Sequence, residues 1–444
     1  MSMTLSAAAE TMQGILHGDD AAYAGVSTDT RTVRAGELFF ALSGPNFDGA
    51  DFVVQANEKG AAGAVVTDQV QADIAQITVD DTRLALGRLG TSWRQQQPAT
   101  VVGVTGSNGK TTLKEMIAAC LSRSAPTIAT AGNLNNDIGM PLMLLRIEQT
   151  HRFAVIEMGA NHGGEIAYLT SLSLPDVVVI TNAGPAHLEG FGSLKGVAEG
   201  KGEILQGEKR PLCAVLNADD DFYDYWRPLV DDVAVLSFGL GENADFTASD
   251  IEADKASTKF RLQLPGEEIE IQLPLAGIHN VRNACAAAAV AQFLNVPIAD
   301  IKAGLESTAP VSGRLQPISG LRGSVLYDDS YNANPVSVVA AGEFLAALDG
   351  SNWMVLGDLG ELGDDEKILH AEVGEALQAA GIDRLFAVGE LSKATVDAFG
   401  SSGAWFASMS ELIDGIAGEL HADVNVLIKG SRSARMERAV EALR

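Results

Sequence analysis

Short apolar runs alternate with amphipathic stretches along the chain, and they fall into three successive groups. In the first group, apolar runs at residues 38–42, 61–66 and 74–79 surround an amphipathic stretch near residues 50–59. Apolar runs of this length, bounded by turn residues, predict buried strands, and the amphipathic stretch predicts a helix. The first group therefore predicts a small α/β domain, which we place at residues 1–82.

The second group follows a predicted helix at residues 82–97 and repeats a strand followed by a helix or a turn. Such alternation predicts a mostly parallel sheet covered by helices. Between residues 245 and 275, apolar side chains recur at every second position around the turn Pro265-Gly266, which predicts an appended β-hairpin. The predicted central domain covers residues 83–310, with strands at residues 101–104, 153–156, 177–180, 212–216 and 233–238.

The third group follows a link at residues 309–313 and again alternates strands with helices. This pattern predicts a Rossmann-like domain at residues 311–444. The domain contains no G-x-G-x-x-G segment, so a dinucleotide is not implied. Its predicted strands lie at residues 325–327, 353–356, 385–388 and 424–428. The fold class predicted for the whole chain is α/β, with three domains.

The composition fits a folded protein, because 46% of the 444 residues are hydrophobic and 20% are charged. Acidic side chains outnumber basic ones by 58 to 31, which disfavours non-specific binding to nucleic acid or to an anionic membrane. The first residues lack a basic segment followed by an apolar one, and no long apolar run occurs, so we expect a cytoplasmic protein. Cys120, Cys213 and Cys285 have apolar neighbours and are predicted to be buried thiols.

The segment TGSNGKTT at residues 105–112 carries the clearest chemical signal, because it joins a predicted strand to a helix. Glycines allow backbone N–H groups to approach phosphates, and a helix N-terminus favours negative charge. Lys110 would neutralise the terminal phosphates, and the Thr111 hydroxyl can reach magnesium. The spacing departs from G-x-x-x-x-G-K-[ST], so a chance glycine-lysine turn is the alternative. The predicted ATP-phosphate residues are Thr105, Gly106, Ser107, Asn108, Gly109, Lys110, Thr111 and Thr112.

Three ionisable residues follow in positions that suit a site at the sheet edge. Glu157 ends the strand predicted at residues 153–156, and His187 follows the strand predicted at residues 177–180. The carboxyl ends of parallel strands are where such sheets bind ligands. Lys201 lies fourteen residues after His187 in an acidic stretch. Taken singly, these residues also fit a capping acid, a surface histidine and a helix-surface lysine.

Together these residues resemble the Mur ligase family of ATP-dependent enzymes, which extend the peptide of the peptidoglycan precursor. The resemblance covers nearly the whole chain, and the unusual spacing of TGSNGKTT is the form that this family has. It implies that Lys110 holds the ATP phosphates and that Thr111 and Glu157 bind one magnesium ion. It also implies that His187 binds a second magnesium ion and that Lys201 is carbamylated on the metal side. Lys110, Glu157, His187 and Lys201 are the predicted catalytic residues.

The same resemblance assigns further residues to the nucleotide. Asn280 and Asn283, in the segment GIHNVRN, resemble nucleotide-contacting asparagines at a helix start. Arg314 and Asp329 resemble residues of the C-terminal domain that close over ATP. As alternatives, Asn280 would be a helix N-cap and Asp329 a turn residue.

Two segments, DDSYNANP at residues 328–335 and GDLGELG at residues 357–363, resemble the branch that adds D-alanyl-D-alanine to a UDP-muramoyl tripeptide. A segment at residues 133–141 resembles the muramoyl-substrate loop, and segments at residues 27–31 and 41–44 resemble the uridine-diphosphate site, although turn chemistry around Gly44 explains the last nearly as well. The predicted substrate-binding residues are Ser27, Asp29, Arg31, Ser43, Gly44, Asn46, Asn133, Asn135, Asn136, Tyr331, Asn332 and Asn334.

The activity implied by the resemblance is amide formation through an acyl phosphate, with ATP and Mg²⁺. We expect small-molecule substrates, a monomer and no nucleic-acid partner. A sister ligase that adds a diamino acid, or a folylpolyglutamate-type ligase, would share the loop, Glu157 and His187. A phosphate-loop switch or motor would hydrolyse nucleotide without an acceptor, and a binding protein with an inactive site would fail to bind ATP with magnesium.

Overall fold

The computed structural model describes residues 3–44 and 47–444. The first sheet has the strand order β2-β7-β6-β5-β4, in which β2 is antiparallel to β7 and the other neighbours are parallel. The elements are β1 (Met3–Thr4), α1 (Leu5–Met12), β2 (Ile15–His17), β3 (Ala22–Tyr23), β4 (Gly25–Ser27), β5 (Glu37–Phe40), α2 (Val53–Glu58), β6 (Gly63–Val66), β7 (Gln76–Thr78) and α3 (Thr82–Gln95). The strands and helices expected from the apolar runs are confirmed, with ends that differ by one to three residues.

Helix α3 connects the first sheet to the rest of the chain. Its N-cap is Asp81, whose carboxylate accepts hydrogen bonds from the backbone N–H groups of Arg83 and Leu84. One face of α3 packs on α1 and completes the core of the first sheet. The buried side chains of this shared core include Leu5, Leu38, Leu86 and Leu89.

The central sheet is built from six parallel strands in the order β13-β12-β11-β8-β10-β9, all within residues 100–238. The elements are β8 (Thr100–Thr105), α4 (Lys110–Ser124), β9 (Thr127–Ala129), α5 (Gly139–Leu144), β10 (Phe153–Glu157), α6 (Glu165–Ser173), β11 (Val177–Ile180), α7 (Leu188–Phe191), α8 (Leu194–Gly202), β12 (Cys213–Asn217), α9 (Tyr223–Trp226) and β13 (Ala234–Phe238). The predicted parallel sheet is confirmed. Strand β8 lies between β10 and β11, so the phosphate-loop segment emerges from the middle of the sheet.

The predicted hairpin is part of a larger unit, because a third strand pairs with it. This antiparallel sheet has the order β14-β15-β16 and turns at Gly266, whose φ is +88°. It packs on an alanine-rich helix that is buried along most of its length. The elements are β14 (Thr247–Ala253), β15 (Thr258–Leu264), β16 (Glu267–Leu273), α10 (Ile278–Phe293) and α11 (Ile298–Glu306).

The C-terminal sheet has the order β17-β18-β22-β19-β20-β21, with β17 antiparallel to β18 and the others parallel. The elements are β17 (Gln316–Ser319), β18 (Val325–Asp329), α12 (Pro335–Ala346), β19 (Ser351–Gly357), α13 (Glu366–Ala380), β20 (Arg384–Val388), α14 (Ser392–Phe399), β21 (Gly403–Phe406), α15 (Met409–Ala417), β22 (Val424–Lys429) and α16 (Glu437–Leu443). Apolar cores lie on both faces of this sheet. The Rossmann-like arrangement expected from the sequence is confirmed.

Two further observations bear on the sequence predictions. The cysteines Cys120, Cys213 and Cys285 are buried and free, as expected. Burial raises the pKa of Cys120 and of Cys213 to about 12. Of the helices in residues 3–44 and 47–444, none combines the length and apolar character needed to cross a bilayer.

Candidate active site

The phosphate-loop segment runs from the end of β8 to the start of α4, and two glycines give it its shape. Gly106 has φ +143°, and a Cβ there would lie 1.9 Å from Thr181 Oγ1. Gly109 has φ +81° and is the N-cap of α4, so the first turn of the helix faces the loop. The backbone N–H groups of such a loop and helix start attract anions. The local geometry is that of a phosphate cradle.

Residues after β11 hold this loop from one side. Ser107 N–H donates to Asn182 O (3.0 Å), and Asn108 N–H donates to Asn182 Oδ1 (3.0 Å). Thr181 Oγ1 donates to Asn108 O at 2.7 Å, and Gly184 N–H donates to Ser107 Oγ at 2.9 Å. The protein's own hydrogen bonds therefore fix the loop, which is the preorganisation that phosphate binding requires.

Lys110 is half-buried and folds back over the loop that precedes it. Its ammonium group donates to the backbone carbonyls of Gly106 and of Ser107, the latter at 3.1 Å. Burial lowers the pKa of Lys110 to about 8, against the opposing effect of the Glu157 carboxylate. An anion bound in the cradle would supply the charge partner that this ammonium group lacks.

Glu157 is the last residue of β10 and is 3% exposed. Its Oε1 accepts a hydrogen bond from Asn135 Nδ2 (2.8 Å), and its backbone N–H donates to Thr130 Oγ1 (2.9 Å). Its Oε2 is buried and has no hydrogen-bond partner within the described chain. A buried carboxylate oxygen is costly to leave unpaired, so its surroundings suit a cation.

The remaining donors also suit magnesium. Mg²⁺ binds through one or two carboxylates and keeps waters and substrate phosphate oxygens as its other ligands. Glu157 and the Thr111 hydroxyl, which line one cavity, provide such a partial set. Across residues 3–44 and 47–444, no three His, Cys, Asp or Glu side chains cluster as a complete metal site. The residues therefore fit a magnesium ion whose coordination is completed by substrate oxygens.

His187 follows β11 and is the N-cap of α7, with φ +56°. Its Nδ1 contacts Glu361 Oε2 of the C-terminal domain. Burial lowers the pKa of His187, and the neighbouring Glu361 carboxylate opposes this effect. The histidine is thus at the sheet edge, as the sequence predicted, and it contacts a residue of the segment GDLGELG, to which the sequence assigned no individual role.

Lys201 is 1% exposed, so the alternative of a helix-surface lysine is wrong. Its ammonium group donates to Ala160 O (3.3 Å) and lies 5.0 Å from the ring centroid of Phe191. Burial is the main cause that lowers the pKa of Lys201 to about 7, and Lys110 adds to it. In a substantial fraction of the molecules, Lys201 therefore carries a neutral, nucleophilic amine at neutral pH.

The two asparagines of α10 lie beside the phosphate loop. Asn283 Oδ1 would be 2.9 Å from a Cβ at Gly109, so it touches the start of α4. Asn280 Nδ2 donates to Ala276 O at 2.7 Å. The N-cap of α10 is Gly277, so the alternative that Asn280 is the cap is wrong. Both asparagines are buried and contribute to the same cavity wall as the loop.

The C-terminal domain completes the cavity from the other side. Asn334 Nδ2 donates to Asn108 Oδ1 (2.8 Å), which joins the N-cap of α12 directly to the phosphate loop. Arg314 stacks on Tyr331, with 4.2 Å between the guanidinium carbon and the ring centroid. Asp329 Oδ1 accepts from Leu315 N–H at 3.1 Å, so it ties the end of β18 to the residue that precedes β17.

The cavity between the central and C-terminal domains has a volume of about 1760 Å³. It collects most of the residues that the sequence predicted for the nucleotide and the two peptides. Thr105, Gly106 and Lys201 lie behind its wall rather than in it. The predicted residues that line it are Ser107, Asn108, Gly109, Lys110, Thr111, Thr112, Asn133, Asn135, Asn136, Glu157, His187, Asn280, Asn283, Arg314, Asp329, Tyr331, Asn332 and Asn334.

The residues predicted for the uridine diphosphate are not part of this cavity. They form two local turns in the first domain. Arg31 pairs with Asp29 at 2.6 Å, and Ser27 Oγ donates to Asp29 O at 3.1 Å. Ser43 Oγ donates to Asp48 Oδ1 at 2.8 Å, and Gly44 N–H donates to Phe47 O. Asn46 lies outside the described residues.

The chain is similar to known proteins over its whole length. Family sequence models match the chain as the Mur ligase family catalytic domain (residues 22–94), the Mur ligase middle domain (residues 104–291) and the Mur ligase glutamate ligase domain (residues 313–432). The UDP-N-acetylmuramoyl-tripeptide--D-alanyl-D-alanine ligase of Escherichia coli (strain K12) is 45% identical over 100% of this chain and 98% of its own length. The chain belongs to the Mur ligase family. The resemblance seen in the sequence is thereby confirmed.

Solved structures of Mur ligases agree with this assignment. MurF from Acinetobacter baumannii superposes with a TM-score of 0.94 at 38% identity and covers 99% of this chain and 98% of that chain. MurF ligase from Thermotoga maritima, solved in complex with ADP, has a TM-score of 0.83 at 28% identity, covering 94% and 96%. The three-domain α/β prediction is confirmed, and like other Mur ligases the protein is an ATP-dependent ligase.

Two residues of this Mur ligase site were not singled out in the sequence. Lys429 ends β22, is 3% exposed and contacts Asp329 Oδ2 (2.6 Å) and Asn332 O (3.0 Å). Asn182 follows β11 and holds the phosphate loop. Both stand directly after predicted parallel strands, so the rule that ligands bind at the carboxyl ends of such strands would have found them.

Proposed function

We propose that this Mur ligase joins D-alanyl-D-alanine to a UDP-N-acetylmuramoyl tripeptide, and that it produces the UDP-muramoyl pentapeptide, ADP and phosphate. One observation carries the proposal: a single large cavity brings the phosphate loop, Glu157 and His187 of the central domain to face Arg314, Asp329 and Lys429 of the C-terminal domain. The relative from Escherichia coli is named for the same acceptor.

The reaction requires that a carboxylate, which is a poor electrophile, be activated before an amine attacks it. The carboxylate oxygen attacks the γ-phosphorus of ATP, the bond to the leaving ADP oxygen breaks, and an acyl phosphate results. The amine of the dipeptide then attacks the acyl carbon, loses a proton and expels inorganic phosphate. In this chain, the loop N–H groups and Lys110 stabilise the charge on the phosphates, and the rigid loop orients them.

Magnesium would be held by Thr111 and Glu157, with a second ion at His187. Its chemistry is to neutralise phosphate oxygens while charge moves between them. Asn135 fixes the orientation of the Glu157 carboxylate through its 2.8 Å hydrogen bond. Asn182 and Thr181 hold the loop that presents the Thr111 hydroxyl. The chain's own residues therefore position the Glu157 carboxylate and the Thr111 hydroxyl that such an ion would touch.

Lys201 is proposed to carry a carbamate. A carbamate forms when a neutral amine attacks carbon dioxide, and the lowered pKa of Lys201, about 7, makes that amine available. The product is an anion, which would change the buried ammonium group into a counter-charge for the metal side.

The remaining assignments follow from the family. Asn280, Asn283, Arg314 and Asp329 contact the nucleotide, and the segment at residues 133–141 contacts the muramoyl peptide. The turns at Asp29 and Ser43 bind the uridine diphosphate. We propose domain boundaries at residues 82/83 and 310/311, and a cytoplasmic location, where ATP is plentiful.

Product mass analysis tests the proposed function. The protein is mixed with ATP, Mg²⁺, UDP-muramoyl tripeptide and D-alanyl-D-alanine, and parallel reactions contain a diamino acid with the UDP-muramoyl dipeptide, or glutamate with a folate. We expect the pentapeptide and a stoichiometric release of phosphate in the first reaction alone. Product in either parallel reaction, or phosphate release without any acceptor, would contradict the proposal.

Closure of the C-terminal domain is part of the proposed mechanism, because the nucleotide and acceptor groups come from different domains. The link at residues 309–313 separates them, and Arg314 and Asp329 lie beyond it. We expect solution scattering to show a smaller radius of gyration when an ATP analogue and the tripeptide substrate are both bound. An unchanged radius would argue against closure.

A further inference from the structure

Two residues with left-handed backbone face each other across the cavity. His187 has φ +56° and Glu361 has φ +61°. Such conformations are uncommon for residues other than glycine, and strain of this kind concentrates at functional sites. The Glu361 side chain is 52% exposed and lines the cavity, where its carboxylate contacts His187. Glu361 is thus held against His187 of the central domain, and its side chain is not part of an apolar core.

The loop that carries Glu361 is fixed by the protein itself. Leu359 N–H donates to His370 Nε2 at 3.0 Å. Asp358 Oδ1 accepts from the backbone N–H (2.8 Å) and the hydroxyl (2.6 Å) of Ser392. The backbone carbonyl of Asp358 accepts from the Ser431 hydroxyl at 2.6 Å. These contacts set the position of the loop before any substrate binds.

Ser431 belongs to a second loop, which follows β22 and carries Arg432 and Arg435 into the same cavity. The two loops touch, because a Cβ at Gly360 would lie 3.7 Å from Ser431. Arg432 pairs with Glu437 at 3.2 Å, but this pair is exposed and so contributes little. A carboxylate and a guanidinium group therefore line the same cavity from two loops that touch each other.

The charge of Glu361 is unexpected for this cavity. Phosphates and the tripeptide carboxylate are anions, and a nearby carboxylate repels them. Of the two C-terminal-domain carboxylates in the cavity wall, Asp329 is neutralised by Lys429 at 2.6 Å. The Glu361 carboxylate contacts His187, but it forms no ion pair with a lysine or arginine of the described residues. It is therefore available to a cationic ligand, and the one cationic group among the proposed organic substrates is the ammonium group of the dipeptide.

We propose that Glu361 binds the ammonium group of the acceptor dipeptide and that Arg432 binds its carboxylate group. The inference rests on the proposed function and adds the residues that select a zwitterionic acceptor. A dipeptide spans about 7 Å, which suits two loops in contact. Because Glu361 contacts the central domain, the amine end of the dipeptide faces the phosphate-loop side, where the activated carboxyl group would lie.

Binding measurements with three probe ligands test this subsite. The full-length protein, with a non-hydrolysable ATP analogue, Mg²⁺ and UDP-muramoyl tripeptide, is titrated by calorimetry with D-alanyl-D-alanine, its N-acetyl derivative and its C-terminal amide. The wild type should bind each derivative about tenfold more weakly or worse, because each lacks one charge-assisted contact. Glu361→Gln should bind the free dipeptide about tenfold more weakly and should no longer distinguish it from the N-acetyl derivative.

Arg432→Gln should show the complementary pattern, with lost discrimination against the amide and retained discrimination against the N-acetyl derivative. Asp364→Asn and Arg438→Gln are matched controls. Both are exposed, lie close in sequence to the tested residues and are outside the cavity wall, so they should bind all three ligands as the wild type does.

Two results would overturn the proposal. The first is that Glu361→Gln keeps the full discrimination against the N-acetyl derivative. The second is that it weakens the binding of the ATP analogue or of the tripeptide in place of the dipeptide. Failure of the proposed function has a different signature, since the wild type would then make no pentapeptide and bind none of the three probes.

Discussion

The contact between the first and central domains differs from the contact between the central and C-terminal domains. The first is a packed core, in which helix α3 and Leu145 of the central domain join the apolar side chains of the first sheet. Trp93 donates to Ile147 O at 2.8 Å, and Arg94, which is 6% exposed, donates to Ser173 O at 3.1 Å, so α3 is held to the rest of the central domain. Separation of the two domains would expose the apolar side chains of this core to water.

The second contact consists largely of polar groups at the site itself. Asn334 meets Asn108, Glu361 meets His187, and Glu189 N–H reaches Glu361 O at 3.4 Å. Polar contacts of this kind exchange readily with water, so they cost little to break. The first two domains therefore form a fixed platform, and the polar second contact is the one that the proposed closure of the C-terminal domain would make and break.

The largest expected effect comes from a residue of the central domain that faces the cavity. Glu157→Gln keeps the shape and the hydrogen bond from Asn135 but removes the buried negative charge. We expect kcat to fall about 1000-fold or more, because charge stabilisation at the phosphates is lost. The measurement is phosphate release at increasing Mg²⁺. Glu148→Gln, which is exposed and outside the cavity wall, is the control. A fall of less than tenfold would contradict the assigned role.

Lys201→Arg should lower kcat about 100-fold, because arginine keeps the positive charge but does not form a carbamate. With the pKa of Lys201 lowered to about 7, the neutral amine is present above pH 7 and is lost as the pH falls below it. Nuclear magnetic resonance with ¹³C-labelled bicarbonate should therefore show a carbamate signal that fades below pH 7. Lys195→Arg, 73% exposed on the same helix, is the matched control. Wild-type activity in Lys201→Arg would exclude the carbamate.

Arg94→Met tests whether α3, the helix that carries the first contact, is fixed to the rest of the central domain. It removes a buried cation from Ser173 O and from Asp176, whose carboxylate lies 3.3 Å away. Breaking a buried pair in this way should lower the free energy of unfolding by about 2–4 kcal/mol and leave kcat of the folded protein nearly unchanged. Chemical denaturation measures the first quantity, and Arg146→Met, at an exposed position, is the comparison. An unchanged midpoint of chemical denaturation would mean that the contacts of Arg94 do not stabilise the protein.

The smallest expected effect is at the moving contact. In Asn334→Asp the residue still caps α12, but its side chain changes from a donor to an acceptor facing Asn108 Oδ1. We expect about 1 kcal/mol in favour of the open arrangement, seen as a larger radius of gyration in solution scattering, with little change in thermal stability. Asn334→Ser, which caps without the charge, should give an intermediate value. Identical scattering of both variants and the wild type would mean that Asn334 does not contribute to domain closure.

Much of the fold was predictable because each buried strand is a continuous apolar run. The runs at residues 177–180 and 385–388 lie within the observed strands β11 and β20. The short strand β9 has partly exposed residues, so its sequence carries no such signal. Strand β14 contains charged residues along one of its faces and was missed for the same reason.

Some residues of the candidate site were likewise predictable from the sequence, and others were not. The phosphate loop, Glu157 and His187 were found because backbone chemistry and strand ends give local signals. The burial of Lys201 was not visible, because a helix lysine in an acidic stretch has the same local pattern whether it faces solvent or the interior. Its lowered pKa is a product of tertiary packing.

The sequence by itself determined the class of fold, the phosphate loop and the family, since apolar periodicity and a loop of fixed spacing act over a few residues. The tertiary structure decided which charges meet. Glu361 and His187 are 174 positions apart in the chain, and Lys429 and Asp329 are 100 apart. Contacts at such separations depend on how three domains pack, and neither periodicity nor motif spacing encodes that packing locally.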